Sequence, residues 1–249
     1  MTRRILMITG AGRGIGAATA RLAATRGYDL FLTYNADSTA IAETAEACRA
    51  EGAAVEVAQA DAGSEAAMLA AFAQLDARFG RLDALVANAG ITGPMKRLLD
   101  TTQADWEQVF RTNLFGLVLA LREGARRMST ARGGKGGAIV TLSSRATAYG
   151  SPGEFIHYAA SKGAVDTLTL GFAREVAAEG IRVNAVSPGL VDTDIHAAAG
   201  APDRVARYGA SIPMGRGGTP DEVAEAILFL LSDAARYITA AHLPVSGGR

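Results

Sequence analysis

Seven short apolar runs, many of their residues β-branched, recur at residues 4–9, 29–34, 54–58, 84–87, 138–143, 182–187 and 242–245, and none of them alternates polar with apolar. A strand that buries one face alternates; a run that is apolar throughout suits a parallel sheet, whose two faces are both covered by helices. Alanine-rich stretches of helical period fill the gaps, at 15–26, 38–51, 66–79, 103–128, 155–179 and 220–231. Strand–helix alternation with right-handed crossovers predicts an α/β chain: a doubly wound parallel β-sheet with helices on both faces, as one domain over residues 1–249.

Nothing in the composition divides that domain. The glycine-rich residues 133–137 fall between a helix and a strand of the same alternation, so they read as a flexible turn. Residues 194–218 lack clear periodicity, and the stretch around 190–218 reads either as a substrate lid or as a loop without order. Lysine plus arginine equals aspartate plus glutamate at 25 each, leaving no field to favour nucleic acid or an anionic membrane. The first apolar run is too short for a signal peptide, and charges interrupt every other run before it reaches membrane-spanning length. Cys48 is the only cysteine, which suits a reducing compartment, and a cytoplasmic location is expected.

After the first run comes Thr9-Gly10-Ala11-Gly12-Arg13-Gly14-Ile15-Gly16, opening the first helix. Backbone N–H groups and the positive end of a helix dipole suit a pyrophosphate, and glycines let it approach. The spacing is G-x-x-x-G-x-G on Gly10, Gly14 and Gly16; the common G-x-G-x-x-G fails because position 15 is isoleucine. No Gly-Lys-Ser/Thr follows, so the turn is not a P-loop. Its place between strand and helix makes it a dinucleotide turn and the fold Rossmann-type.

Tyr158 and Lys162 stand four apart near the start of the fifth predicted helix, on one face. A phenol ionises near pH 10, too high for proton exchange at neutral pH, and a neighbouring ammonium would favour the phenolate. An isolated Tyr-x-x-x-Lys is more often a surface pair, so its company decides.

That company is Thr9-Gly10-x-x-x-Gly14-Ile15-Gly16, then Asn88-Ala89-Gly90 after the fourth strand, Asn113 in the long helix, Ser143-Ser144 ending the fifth strand, Tyr158-x-x-x-Lys162, and Pro188-Gly189 after the sixth. In order and spacing the whole chain resembles the short-chain dehydrogenase/reductase family, in its shorter branch. The resemblance implies an enzyme that interconverts a carbonyl and an alcohol by hydride transfer. It makes Tyr158 the general acid or base, and Ser144 the hydrogen-bond donor to the substrate oxygen. Lys162 then lowers the Tyr158 pKa and holds the nicotinamide ribose, and Asn113 anchors a water leading from Lys162 to solvent. No metal is expected. Three departures stand out. The family spacing puts the serine at position 145, which is arginine; an extra residue in the loop 145–157 leaves Ser144 as the assignment and Ser143 as the alternative. Ala87 replaces an asparagine common in relatives, and Ala240 replaces a glycine.

An acid at the end of strand two would select NAD by binding the adenosine ribose. Here the family position is Tyr34, followed by Asn35, while Arg13 is placed to meet a 2′-phosphate. NADP(H) is therefore expected, with NAD(H) through Asp37 as the alternative. By the same resemblance Asp61-Ala62 contacts adenine, although Asp61 also suits a helix cap. Asn88, Ala89 and Gly90 line the adenosine-ribose side, and Pro188, Gly189, Val191 and Thr193 meet the nicotinamide amide and phosphates.

The substrate is expected among loops 92–96, 145–157 and 190–208, with Arg145, His157 and His196 as polar candidates, and its identity is open. Apolar residues around much of helices 103–128 and 155–179 suggest an intersubunit bundle, hence a homotetramer, with a dimer as the alternative. Two other classes remain: a cofactor-sensing regulator on the same fold without turnover, and an epimerase, for whose substrate domain the chain has no room.

Overall fold

The computed structural model describes residues 3–249, apart from the side chain of His196. Its strands are β1 (Arg4–Ile8), β2 (Tyr28–Tyr34), β3 (Val55–Gln59), β4 (Ala84–Ala87), β5 (Gly137–Leu142), β6 (Ile181–Pro188) and β7 (His242–Val245). All pair parallel, in the order β3-β2-β1-β4-β5-β6-β7. Period-two alternation sends successive side chains to opposite faces. Leu6 and Ile8 of β1 join one core with helices α1 (Gly14–Thr25), α2 (Ser38–Ala50) and α10 (Pro220–Leu231). Ile5 and Met7 join another with α3 (Glu65–Phe79), α5 (Gly116–Met128) and α7 (Ile156–Val176). Both faces of the central strands are covered, which is why β1, β4 and β5 carry long apolar runs. The edge strands β3 and β7 are partly exposed, and in β7 Pro244 removes a donor that no further strand needs.

Local chemistry fixes the helix starts. Asp37 caps α2, Ser64 caps α3, and Thr219 with Glu222 forms a capping box on α10 behind Pro220. Asp61 is therefore not the cap of α3; its carboxylate accepts from Gly63 N at 2.9 Å in a turn three residues earlier. Helix α1 differs from these. It has no side-chain cap and no acid in its first turn, and it starts at the crevice where the strand order reverses between β1 and β4.

Two predicted helices are shorter than their pattern. The stretch 103–128 divides into α4 (Gln103–Phe110), a π-helical segment (Arg111–Phe115) and α5. The fifth predicted helix ends at Val176, with a tight turn over Ala177–Glu179. Two further short helices, α6 (Ala146–Tyr149) and α8 (Ile195–Ala198), lie in the loops after β5 and β6. Residues 194–218 contain α8, then α9 (Arg204–Tyr208) and a tight turn, and Val191 bridges Gly218. Among the described residues no helix is long and apolar enough to cross a membrane.

Candidate active site

At the carboxyl ends of the strands lies a cleft of about 510 Å³. Every residue expected to hold cofactor lines it except Gly16. Gly16 instead packs helix on strand: a Cβ there would collide with the Gly10 carbonyl oxygen and sit 2.7 Å from Asn88 Nδ2. Gly10 turns at φ +68°, and its carbonyl accepts from Asn88 Nδ2 at 2.8 Å. Asn88 also bonds Thr9, so it braces the turn from β4. The result is an uncapped helix N-terminus behind a side-chain-free turn, with Arg13 exposed beside it. An anionic pyrophosphate fits this cradle in charge and in space. Tyr34, Asn35 and Asp61 edge the same half of the cleft. Gly90 lies close to the Tyr–Lys end: a Cβ there would stand 3.4 Å from Lys162 Nζ.

Helix α7 presents Tyr158 and Lys162 to the cleft, as their spacing requires. Lys162 is almost fully buried and donates to the Leu142 carbonyl at 2.6 Å, and burial lowers its pKa to about 8. Its Nζ is 5.7 Å from the centre of the Tyr158 ring. The Tyr158 pKa is raised by burial, with the Ser144 hydroxyl working in the opposite direction.

Ser144 faces the phenol, and its Oγ accepts from Ala146 N at 3.1 Å. Ser143 also borders the cleft, yet its Oγ is buried without a hydrogen-bond partner. Asn113 sits in the π segment, a feature that often marks functional sites. The extra residue per turn brings its side chain onto Ile91, accepting from N and donating to O at 2.8 Å each, and donating to Ser161 Oγ at 3.0 Å. A separate void of about 10 Å³ is bordered by Asn113, Lys162 and Leu142.

Of the polar substrate candidates, neither Arg145 nor His157 reaches the cleft. Arg145 Nε is taken by the Arg249 carbonyl at 2.8 Å. His157 is fully buried near Trp106 and Gly93, both ring nitrogens unpartnered, and burial lowers its pKa. His196 has its side chain outside the described residues. Tyr149, Arg204 and Arg249 line the cleft instead. No motif marks them, since they come from separate segments that only folding brings together.

A doubly wound sheet with an uncapped glycine turn and a Tyr–Lys pair at its switch point defines a dinucleotide-dependent oxidoreductase. Comparison with known proteins agrees. A family profile described as enoyl-(acyl carrier protein) reductase matches residues 10–249. The chain is 45% identical over 245 residues to the uncharacterized oxidoreductase YgfF of Escherichia coli K12, covering 98% of this chain and 99% of that one. It is 42% identical over 246 residues to the cis-4-hydroxycyclohexanecarboxylate dehydrogenase of Sinomonas cyclohexanicum, covering 98% and 96%. Among solved structures, a short-chain type dehydrogenase/reductase from Mycobacterium marinum superposes with a TM-score of 0.91 at 31% identity, covering 98% of this chain and 94% of the other. Levodione reductase gives 0.90 at 32%, covering 100% and 98%. The chain belongs to the short-chain dehydrogenase/reductase family, and it is an enzyme of carbonyl and alcohol oxidoreduction.

Proposed function

We propose that this enzyme prefers NADP(H) and that Tyr158 moves the proton, Ser144 binds the reacting oxygen, and Lys162 and Asn113 support them. The observation that carries the reading is the meeting of Tyr158, Ser144 and Lys162 in one cleft beside the uncapped α1. When bound, the nicotinamide dinucleotide supplies or accepts the hydride. Gly10, Arg13, Gly14 and Ile15 would hold its phosphates, with Pro188, Gly189, Val191 and Thr193 toward the nicotinamide. A raised pKa keeps Tyr158 protonated at neutral pH, the form that delivers a proton to a carbonyl oxygen in reduction. Ser144 donates to the same oxygen and stabilises charge as it develops. Lys162 replaces the proton. The 10 Å³ void between it and Asn113 is the size of one water, which suits a path outward.

Cofactor choice rests on charge. Tyr34 ends β2 where an acid would select NAD, and Asp37, the nearest carboxylate, accepts from Ala40 N at 2.9 Å as the cap of α2. Arg13 is left to pair with a 2′-phosphate. In this reading residues 190–218 form the substrate lid, because Leu190, Ile195 and Arg204 border the same cleft as Tyr158. Exposed Phe115 and Val118, with Leu69 on α3, suit a homotetramer, and the lone, buried Cys48 suits the cytoplasm. The test is dinucleotide oxidation with a panel of ketones and aldehydes, comparing kcat/KM for NADPH and NADH. Turnover with higher kcat/KM for NADPH is expected; a clear NADH preference would overturn the cofactor assignment.

A further inference from the structure

Beyond Tyr158 the cleft ends in charges that hydride transfer does not require. Arg204 of α9 is 9% exposed, and its guanidinium forks onto Glu154, Nη1 to Oε1 at 2.9 Å and Nη2 to Oε2 at 2.6 Å. That pair is closed, each charge neutralising the other, with Phe155 and Tyr208 rings packed against the arginine.

Arg249 is placed differently. It lines the same cleft, and although it acts on Glu154 at longer range, no side-chain carboxylate among the described residues forms a close ion pair with it. Its guanidinium stands 5.0 Å from the centre of the Tyr149 ring. A guanidinium stacked on an aromatic face keeps its in-plane N–H fork for an acceptor. Its backbone is held in place: Arg145 Nε donates to the Arg249 carbonyl at 2.8 Å and Ser246 Oγ to the same oxygen at 2.9 Å. Arg145 directly follows Ser144, so this tie fixes Arg249 relative to the serine that faces the phenol. Tyr149, the platform, is close enough to Tyr158 to act on its ionisation.

Arg204, Arg249 and Arg207 all act on the single carboxylate of Glu154. Asp194, another acid in the lining, follows Thr193, whose Cγ2 would stand 3.3 Å from a Cβ on Gly14, so it belongs to the cofactor half.

We propose that Arg249, stacked on Tyr149, is a specificity residue that selects carbonyl and alcohol substrates bearing a carboxylate. The inference rests on the carbonyl/alcohol reading of this same cleft. A planar carboxylate takes two parallel N–H···O bonds from the free fork, while Tyr158 and Ser144 hold the reacting oxygen at the other end. The substrate is compact, because a cleft of about 510 Å³ also has to accommodate the dinucleotide.

Two ketones of one skeleton test this: 4-oxocyclohexanecarboxylate and its methyl ester, each reduced by the enzyme with saturating NADPH. The wild type is expected to favour the acid by about tenfold or more in kcat/KM, mostly through KM. Arg249→Gln should bring the acid-to-ester ratio down toward one, and Arg249→Lys, which keeps charge without the fork, should leave an intermediate ratio. A ratio near one in the wild type, or one unchanged in Arg249→Gln, overturns the proposal. Cyclohexanecarboxylate, which has no reacting carbonyl, provides a readout free of turnover. It should raise the Tm of the NADP⁺-loaded wild type but not of Arg249→Gln. No such shift contradicts the anion site whatever the kinetics, whereas a shift without reduction of any ketone leaves the anion site standing and defeats the proposed catalytic roles.

Discussion

Lys162 Nζ donates to the Leu142 carbonyl oxygen at 2.6 Å, tying α7 to the end of β5 and keeping a cation in a nearly dry pocket. Burial lowers the lysine pKa from 10.5 to about 8. From pH 8 to 10.5 the unfolded chain then holds a proton that the folded chain has lost, so stability rises with pH across that window. Below pH 8 the full penalty is present, up to about 3 kcal/mol. Lys162→Met should therefore raise Tm at pH 7 and abolish turnover, and its Tm advantage should shrink as pH climbs past 8. Thermal unfolding of both proteins at pH 7 and near pH 10 checks this. A less stable variant at pH 7 would mean that the Leu142 bond outweighs burial.

The two serines separate in the same way. Ser144→Ala should lower kcat by roughly 10²–10³, the usual loss of one donor to a developing oxyanion. Ser143→Ala removes a buried hydroxyl that has no partner, so it should leave kcat within a few-fold and hold or slightly raise Tm. Steady-state kinetics on the pair decides, and the reverse order would move the role to Ser143.

How far the sequence disclosed this depended on where the deciding contact lay. Leu6 and Met7 read as strand because burial on both faces leaves a continuous apolar run, and Tyr158 with Lys162 read as a pair because four residues return to one helix face. The π segment was hidden. Residues 103–128 have an unbroken helical pattern, and what interrupts it is tertiary: Asn113 clasping Ile91, and Gly116 packed where a Cβ would meet the Ala62 carbonyl at 2.6 Å. His157 looked like a polar loop residue but is buried, since helix periodicity turns it away from Tyr158. Arg249 carried no local signal at all, because its meaning comes from Tyr149, one hundred residues earlier.

Arg13 is exposed on the cofactor half of the cleft, and among the described residues it has no acidic partner. Arg13→Ala should reduce kcat/KM for NADPH by about tenfold or more and change that for NADH little. Parallel titration of the two dinucleotides measures it. Equal losses for both would assign Arg13 to the shared pyrophosphate.

Ala240, where the family resemblance implies glycine, has a φ of +61°. The left-handed region costs a residue with a Cβ about 1–2 kcal/mol. Replacing it should relieve strain without touching the cleft, so Ala240→Gly is expected to stabilise by about 1 kcal/mol and raise Tm by about 2–4 °C. Differential scanning calorimetry tests the sign; a lower Tm would show that the added backbone freedom outweighs the relief.

Proton transfer depends on the Tyr158 phenol, and Tyr158→Phe removes one oxygen while keeping the ring. Measured as kcat for a ketone the wild type reduces, with dinucleotide binding followed separately by fluorescence, the variant should lose about 10³-fold or more in turnover and still bind cofactor. Turnover within a few-fold of the wild type would contradict the assignment of the proton to this residue.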